Sequence, residues 1–149
     1  MKKKYKLPIY RLQLVRDGEI EVNSITAAFE VIDKMKDFVR ADRENVVCLY
    51  LDAKNRIIGQ HVVSVGTVNA SLVHPREVFK IAILKNAIQV IVMHNHPSGN
   101  IEPSEADNEV TTRLASAGKL LGIELVDHII VAPDKTYYSY QRSATQYLN

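Results

Sequence analysis

The sequence predicts an α/β domain: a single mixed β-sheet with helices packed on it. Three observations carry that reading. Segments of period two and segments of helical period alternate along the chain. Turn signals at Asp17-Gly18, Asp52–Asn55 and Pro133-Asp134-Lys135 fold strand pairs back on themselves, so part of the sheet is antiparallel. One strand-length run, Ile88–Met93, is apolar except for Gln89, as a strand covered on both faces would be.

The elements follow in order. Tyr10 to Val22 reads as a hairpin, with Leu12 and Leu14 alternating before Asp17-Gly18 and Ile20 and Val22 after it. This hairpin is expected to form an N-terminal extension, 1–23, ahead of a domain spanning 24–149. Ser24 caps a first helix carrying Ile25, Ala28, Phe29, Ile32, Met35 and Val39 at helical spacing. Ala41–Glu44 is a polar connection into a strand, Val46–Leu51, which Asp52–Asn55 turns back into Arg56–Val65. His74-Pro75 opens a second helix, with Val78, Phe79, Ala82 and Ile83 on one face. Beyond Ile88–Met93, a third helix begins near Ser104, just after Pro103. Gly118 and Gly122 are its candidate ends, and Gly122 is preferred because Leu120 and Leu121 continue the pattern. His128–Ala132 and Thr136–Tyr140 then pair around Pro133-Asp134-Lys135.

Composition bounds the function. With 149 residues, 46% hydrophobic and 24% charged, the chain matches one ordinary globular domain with a real core. A net charge of +2 does not by itself argue for a nucleic-acid protein. The single cysteine, Cys48, excludes an intramolecular disulfide framework and agrees with a reducing, cytoplasmic location. No apolar run approaches the roughly 20 residues of a membrane-spanning helix. No apolar core follows the basic Met1–Lys6, so it does not read as a secretory signal.

The chemistry concentrates in MHNHPSGNIEPSEAD, residues 93–107. Side chains at i and i+2 of an extended segment share a side, so His94 and His96 converge while Asn95 faces away. Both leave the C-terminal end of a buried strand, where α/β sheets place their sites. Asp107 shares a helical stripe with Val110, Leu114, Ala117 and Leu121, which puts a carboxylate on a buried face. Unpaired there, a polar group costs on the order of 2–7 kcal/mol, and a charge more. A zinc ion bound by His94, His96 and Asp107 would compensate it, leaving the fourth position for water as in catalytic sites. The competing reading is local: Ser104-Glu105-Ala106-Asp107 also fits a capping box, with the carboxylate favoured by the helix dipole.

The joint pattern, an apolar strand followed by His-x-His-Pro-x-Gly and then Ser-x-x-Asp opening a helix, closely resembles the JAMM motif of the JAB/MPN metalloprotease family. "HNHPSG", "PSEAD", "AGKLLGIELVDHIIV" and "GTVNASLVHPREVFK" resemble its RadC-like branch, over about Glu44 to Tyr140. The resemblance implies a zinc-dependent hydrolase of peptide or isopeptide bonds, acting on a protein or peptide substrate. It implies that His94, His96 and Asp107 are ligands and Ser104 is a catalytic hydrogen-bond donor. It also implies a glutamate as general base where the strand after the first helix begins. Glu44 matches that place, and Glu77, at the start of the second helix, is the rival.

Two other readings stand beside the peptidase. The RadC branch has carried a DNA-repair label, and Lys2, Lys3, Lys4, Lys6, Arg11 and Arg16 form a basic stretch suited to DNA, in a phage- or mobile-element-associated accessory protein. RadC proteins usually carry a helix-hairpin-helix region before this domain, which is not in these 149 residues and weakens a direct DNA role. A catalytically silent MPN-type scaffold ranks last, because such members commonly lack the ligand set. Asp127-His128 reads either as an outer-layer pair behind the ligands or as structure. His74 reads as a helix-start residue and Cys48 as a small packed hydrophobe.

Overall fold

The computed structural model describes residues 28–66 and 73–149. The helices α1 (Ala28–Lys34) and α2 (Lys36–Val39) lead into β1 (Asn45–Leu51) and β2 (Ile57–Val65). After α3 (Pro75–Leu84) come β3 (Gln89–Asn95), α4 (Glu105–Leu121), β4 (Glu124–Val131), β5 (Tyr137–Ser139), α5 (Tyr140–Ser143) and a 3-10 turn, Thr145–Tyr147. The expected hairpin over Tyr10–Val22, the extension 1–23 and the Ser24 cap lie outside the described residues.

Five strands form one sheet in the order β2-β1-β3-β4-β5. β1 runs antiparallel to both β2 and β3, β3 and β4 are parallel, and β5 returns antiparallel on β4. The expected mixed sheet is therefore present, and the long α4 serves as the crossover that the parallel pair β3–β4 requires.

Both faces of the central strands are covered. Val46, Cys48 and Tyr50 of β1, with Val90 and Val92 of β3, pack under α3 and α4 against Val78, Phe79, Val110 and Leu114. Val47, Leu49 and Leu51, with Ile91 and Met93, face the other way, onto Val31, Ile32 and Val39 of α1 and α2. That is why β1 and β3 read as continuous apolar runs.

Several boundaries differ from expectation. Met35 separates α1 from α2, so the described part of the first helix is two short pieces. Ile83 is 55% exposed although it follows the buried Ala82, because α3 stops at Leu84 and no described residue covers its last turn. Leu121 is likewise exposed at the end of α4. β4 begins at Glu124, four residues before the expected start at His128. Gly122 is the C-cap of α4, in the left-handed conformation at φ +70. Gly118 lies inside the helix, at a close approach to Phe79 of α3 and to the Ile123 backbone. Among the described residues no helix is long and apolar enough to cross a membrane.

Candidate metal centre

Three segments meet at the C-terminal end of β3. That strand delivers His94 and His96, the start of α4 delivers Ser104 and Asp107, and the connection from α2 into β1 delivers Glu44. In the antiparallel pairing of β1 with β3, Val46 lies opposite His94, so the chain two residues earlier, at Glu44, runs beside His96. A hollow of about 230 Å³ is lined by Glu44, His94, His96 and Asp107, among others. A larger hollow of about 730 Å³, between α2 and β2, is lined by Met35, Phe38, Val47 and Val62 and gathers no such cluster.

His94 is 1% exposed, and among the described residues neither of its ring nitrogens has a hydrogen-bond partner. Its Nδ1 lies 3.4 Å from Asp107 Oδ1. Burial holds this imidazole well below the usual histidine range, at about 4, despite the favourable charge of Asp107. It is therefore neutral near pH 7, with a lone pair to offer. His96 sits at the rim, its ring 4.4 Å from that of His94 and its Nε2 3.9 Å from Asp107 Oδ2. Its Nδ1 bonds the Asn100 carbonyl at 2.5 Å. A carbonyl only accepts, so Nδ1 carries the proton and Nε2 presents the lone pair. Glu44, His94 and His96 each offer a ligand atom within 4.8 Å of the others, a group that could hold a metal ion.

Asp107 fills the capping role that the sequence offered it, and its second carboxylate oxygen faces His94. It is 2% exposed and closes a complete capping box: Ser104 Oγ accepts from the Asp107 N–H at 3.1 Å, and the carboxylate accepts from the Ser104 N–H at 2.8 Å. Only Oδ2 is taken by Ser104; Oδ1 remains toward His94. Burial alone would raise this carboxyl, but the neighbouring His94 and the Ser104 bonds outweigh it and hold the acid below its ordinary range. The Ser104 hydroxyl donates its single proton to Asp107 Oδ2 at 2.7 Å.

The two glutamates separate clearly in space. Glu44 lines the hollow beside the histidines. Glu77 stands in the first turn of α3, paired with Lys80 at 2.9 Å and Arg76 at 3.4 Å. Those two bases hold its carboxyl below the usual range. His74 caps that same helix by accepting from the Arg76 N–H.

Asn95 does face away from its flanking histidines, and what it does there was not legible in the sequence. Fully buried, it accepts from the Asn45 N–H at 2.7 Å and donates to the carbonyls of Arg43, at 2.9 Å, and Ala41, at 3.3 Å. The strand that carries the histidines thereby pins both neighbours of Glu44. A polar residue inside an apolar strand was the one available signal. Asp127 and His128 are not a pair: Asp127 accepts from the Ser139 hydroxyl and the Gln141 N–H, whereas His128 turns toward Thr111 and His94. Thr111, buried on α4 one turn beyond Asp107, was missed because a threonine within a helix carries no distinguishing signal.

Similarity to known proteins agrees with this geometry. A family model for the RadC-like JAB domain matches residues 22–145. A UPF0758 protein of Halalkalibacterium halodurans is 51% identical over 105 residues, covering 70% of this chain and 45% of that protein. One from Methanosarcina acetivorans is 41% identical, covering 82% of this chain and 62% of the relative. One from Finegoldia magna is 58% identical over 91 residues, covering 61% and 41% respectively. The chain thus spans less than two thirds of the length of these relatives. With the family model covering most of the chain over a mixed sheet that ends in a His-x-His cluster, this protein belongs to the RadC-like JAB domain family.

Proposed function

We propose that this chain is a zinc-dependent peptidase domain that hydrolyses a peptide or isopeptide bond of a protein substrate. The observation that carries the reading is His94: a buried imidazole with both nitrogens unpartnered among the described residues, 3.4 Å from a buried carboxylate, inside a hollow that also holds His96 and Glu44. A buried polar group left unsatisfied costs about 1–3 kcal/mol, and a chain tolerates that where a ligand completes the site. Two imidazoles and a carboxylate are the donor set of catalytic zinc. His94, His96 and Asp107 would hold the ion, which when bound lowers the pKa of water toward about 7 and polarises a carbonyl oxygen.

The chain's own groups supply the rest. Glu44, partly exposed, takes a proton from the attacking water as its oxygen bonds to the scissile carbonyl carbon. It then delivers that proton to the nitrogen as the C–N bond breaks, releasing an amine and a carboxylic acid. Such proton transfer accounts for about 10²–10⁴ in rate. Two acceptors compete for the single Ser104 proton, namely Asp107 Oδ2 and the oxyanion. In the resting arrangement it orients the carboxylate, and turned outward it steadies the oxyanion.

The first test is the zinc content of the purified protein. One zinc per chain is expected, lost in Asp107→Ala and retained in Glu44→Gln. Zinc retained in Asp107→Ala and lost in Glu44→Gln would exchange the two carboxylates' roles; none in the wild type after reconstitution would end the peptidase reading. A second reading, an accessory role in DNA processing, is favoured only by the basic run Lys2–Lys6 with Arg11 and Arg16.

A further inference from the structure

We propose that His128 is the positioning residue of this centre: its Nε2 is the acceptor, through one bridging water, for the ring nitrogen of His94 that the metal does not use, while its Nδ1 fixes the α4 turn carrying Asp107. The inference rests on the zinc reading above.

Hydrogen-bond bookkeeping determines the His128 tautomer. The Thr111 hydroxyl lies 2.7 Å from the Asp107 carbonyl and 2.7 Å from His128 Nδ1. A backbone carbonyl can only accept, so the single hydroxyl proton is directed to Asp107. His128 Nδ1 must then be the donor to Thr111, and Nε2 is left as a bare acceptor. Nε2 is buried and has no hydrogen-bond partner among the described residues. The complementary orphan is adjacent. His94 has two buried nitrogens without partners, and once one of them binds a metal the other keeps its proton and needs an acceptor. The two rings are stacked, 29° apart in plane and 5.8 Å between centroids, an arrangement in which their nitrogens do not bond directly and a single water would link them. Tyr140 closes the far face of His128, 6° from parallel at 5.0 Å, and donates its hydroxyl to Asn108 on α4 at 2.7 Å.

The backbone is arranged to aim this ring. Leu125 belongs to the cluster under α3 and α4, so an unbroken strand would turn Asp127 to that side and His128 away from it. The β3–β4 register shifts by one residue here: Val90 lies opposite Leu125, but Ile91 lies opposite Asp127. That bulge puts His128 on the face of Val92 and His94.

The test combines zinc affinity with histidine tautomers. In His128→Phe the ring stack survives and both nitrogens are lost. Zinc affinity, measured by competition with a chromophoric chelator, is expected to fall about 10–100-fold. The metal-free melting temperature should stay close to that of the wild type, which separates positioning from packing. A folded His128→Phe that binds zinc as tightly as the wild type overturns the proposal; a wild type that binds no zinc overturns the peptidase reading instead. Should the variant not fold, the wild type still decides. With ¹⁵N-histidine labelling, long-range ¹H–¹⁵N spectra are expected to show His128 protonated on Nδ1 and its Nε2 resonance shifting on zinc addition. Protonation on Nε2, or no shift, overturns it.

Discussion

At the scale of single residues, the centre depends on imidazoles kept neutral by burial, and this sets a pH dependence. His94 is held at about 4 and His128 at about 3, against the usual 6.5, with burial the largest cause in both. Below pH 6.5 the unfolded chain takes up protons that the folded protein refuses, so stability must fall as pH drops. Each group contributes about 1.4 kcal/mol per pH unit across its window, from 6.5 down to its folded value. Asp107, lowered in the fold, acts in the same direction further down, its contribution being lost as pH falls through its folded value. Asp127, raised by burial, opposes them. Melting of the metal-free protein in chelator is therefore expected at a clearly lower temperature at pH 5 than at pH 7. A flat profile would mean that these rings are solvated.

At the scale of elements, the two glycines of α4 do different work, and the difference is measurable. Gly122 ends the helix at φ +70 with open space around its Cα, so Gly122→Ala meets only the left-handed penalty of about 1–2 kcal/mol. At Gly118 a Cβ would collide with the Ile123 carbonyl oxygen and press on the Phe79 ring. Because backbone, not a flexible side chain, is in the way, the collision outweighs alanine's helix preference of about 1 kcal/mol. Urea unfolding should place Gly118→Ala below Gly122→Ala in stability, and the reverse order would show that α4 can shift to make room. The helix end at Gly122 and the Ser104 cap were both legible in the sequence, since each is decided within one helical turn. The exposure of Ile83 and Leu121 was not, because periodicity says which residues share a stripe but not how far the neighbouring element extends. The turn of His128 was hidden for a related reason: a one-residue register shift leaves no mark in the alternation of β4.

For the whole molecule, the net charge of +2 is too small to attract DNA by itself, and the basic residues of the DNA reading are gathered before Asp17. If that reading holds, affinity for duplex DNA should decline steeply with salt and collapse when Lys2, Lys3, Lys4 and Lys6 are replaced by glutamine. Filter binding at two salt concentrations tests this, and salt-independent retention would remove the reading. By itself the sequence determined the mixed α/β class, the converging pair His94 and His96, and the carboxylate of Asp107 on an inward stripe. These follow from backbone periods of two and 3.6 and from turn chemistry, all set by residues close along the chain. Only the tertiary structure brought Glu44 beside His96, because that neighbourhood is made by the β1–β3 pairing across some fifty residues of chain. It alone secured the Glu44 loop with the side chain of Asn95, and turned His128 rather than Asp127 toward His94. Long-range register decides such contacts, and register is an outcome of the packing of the whole sheet.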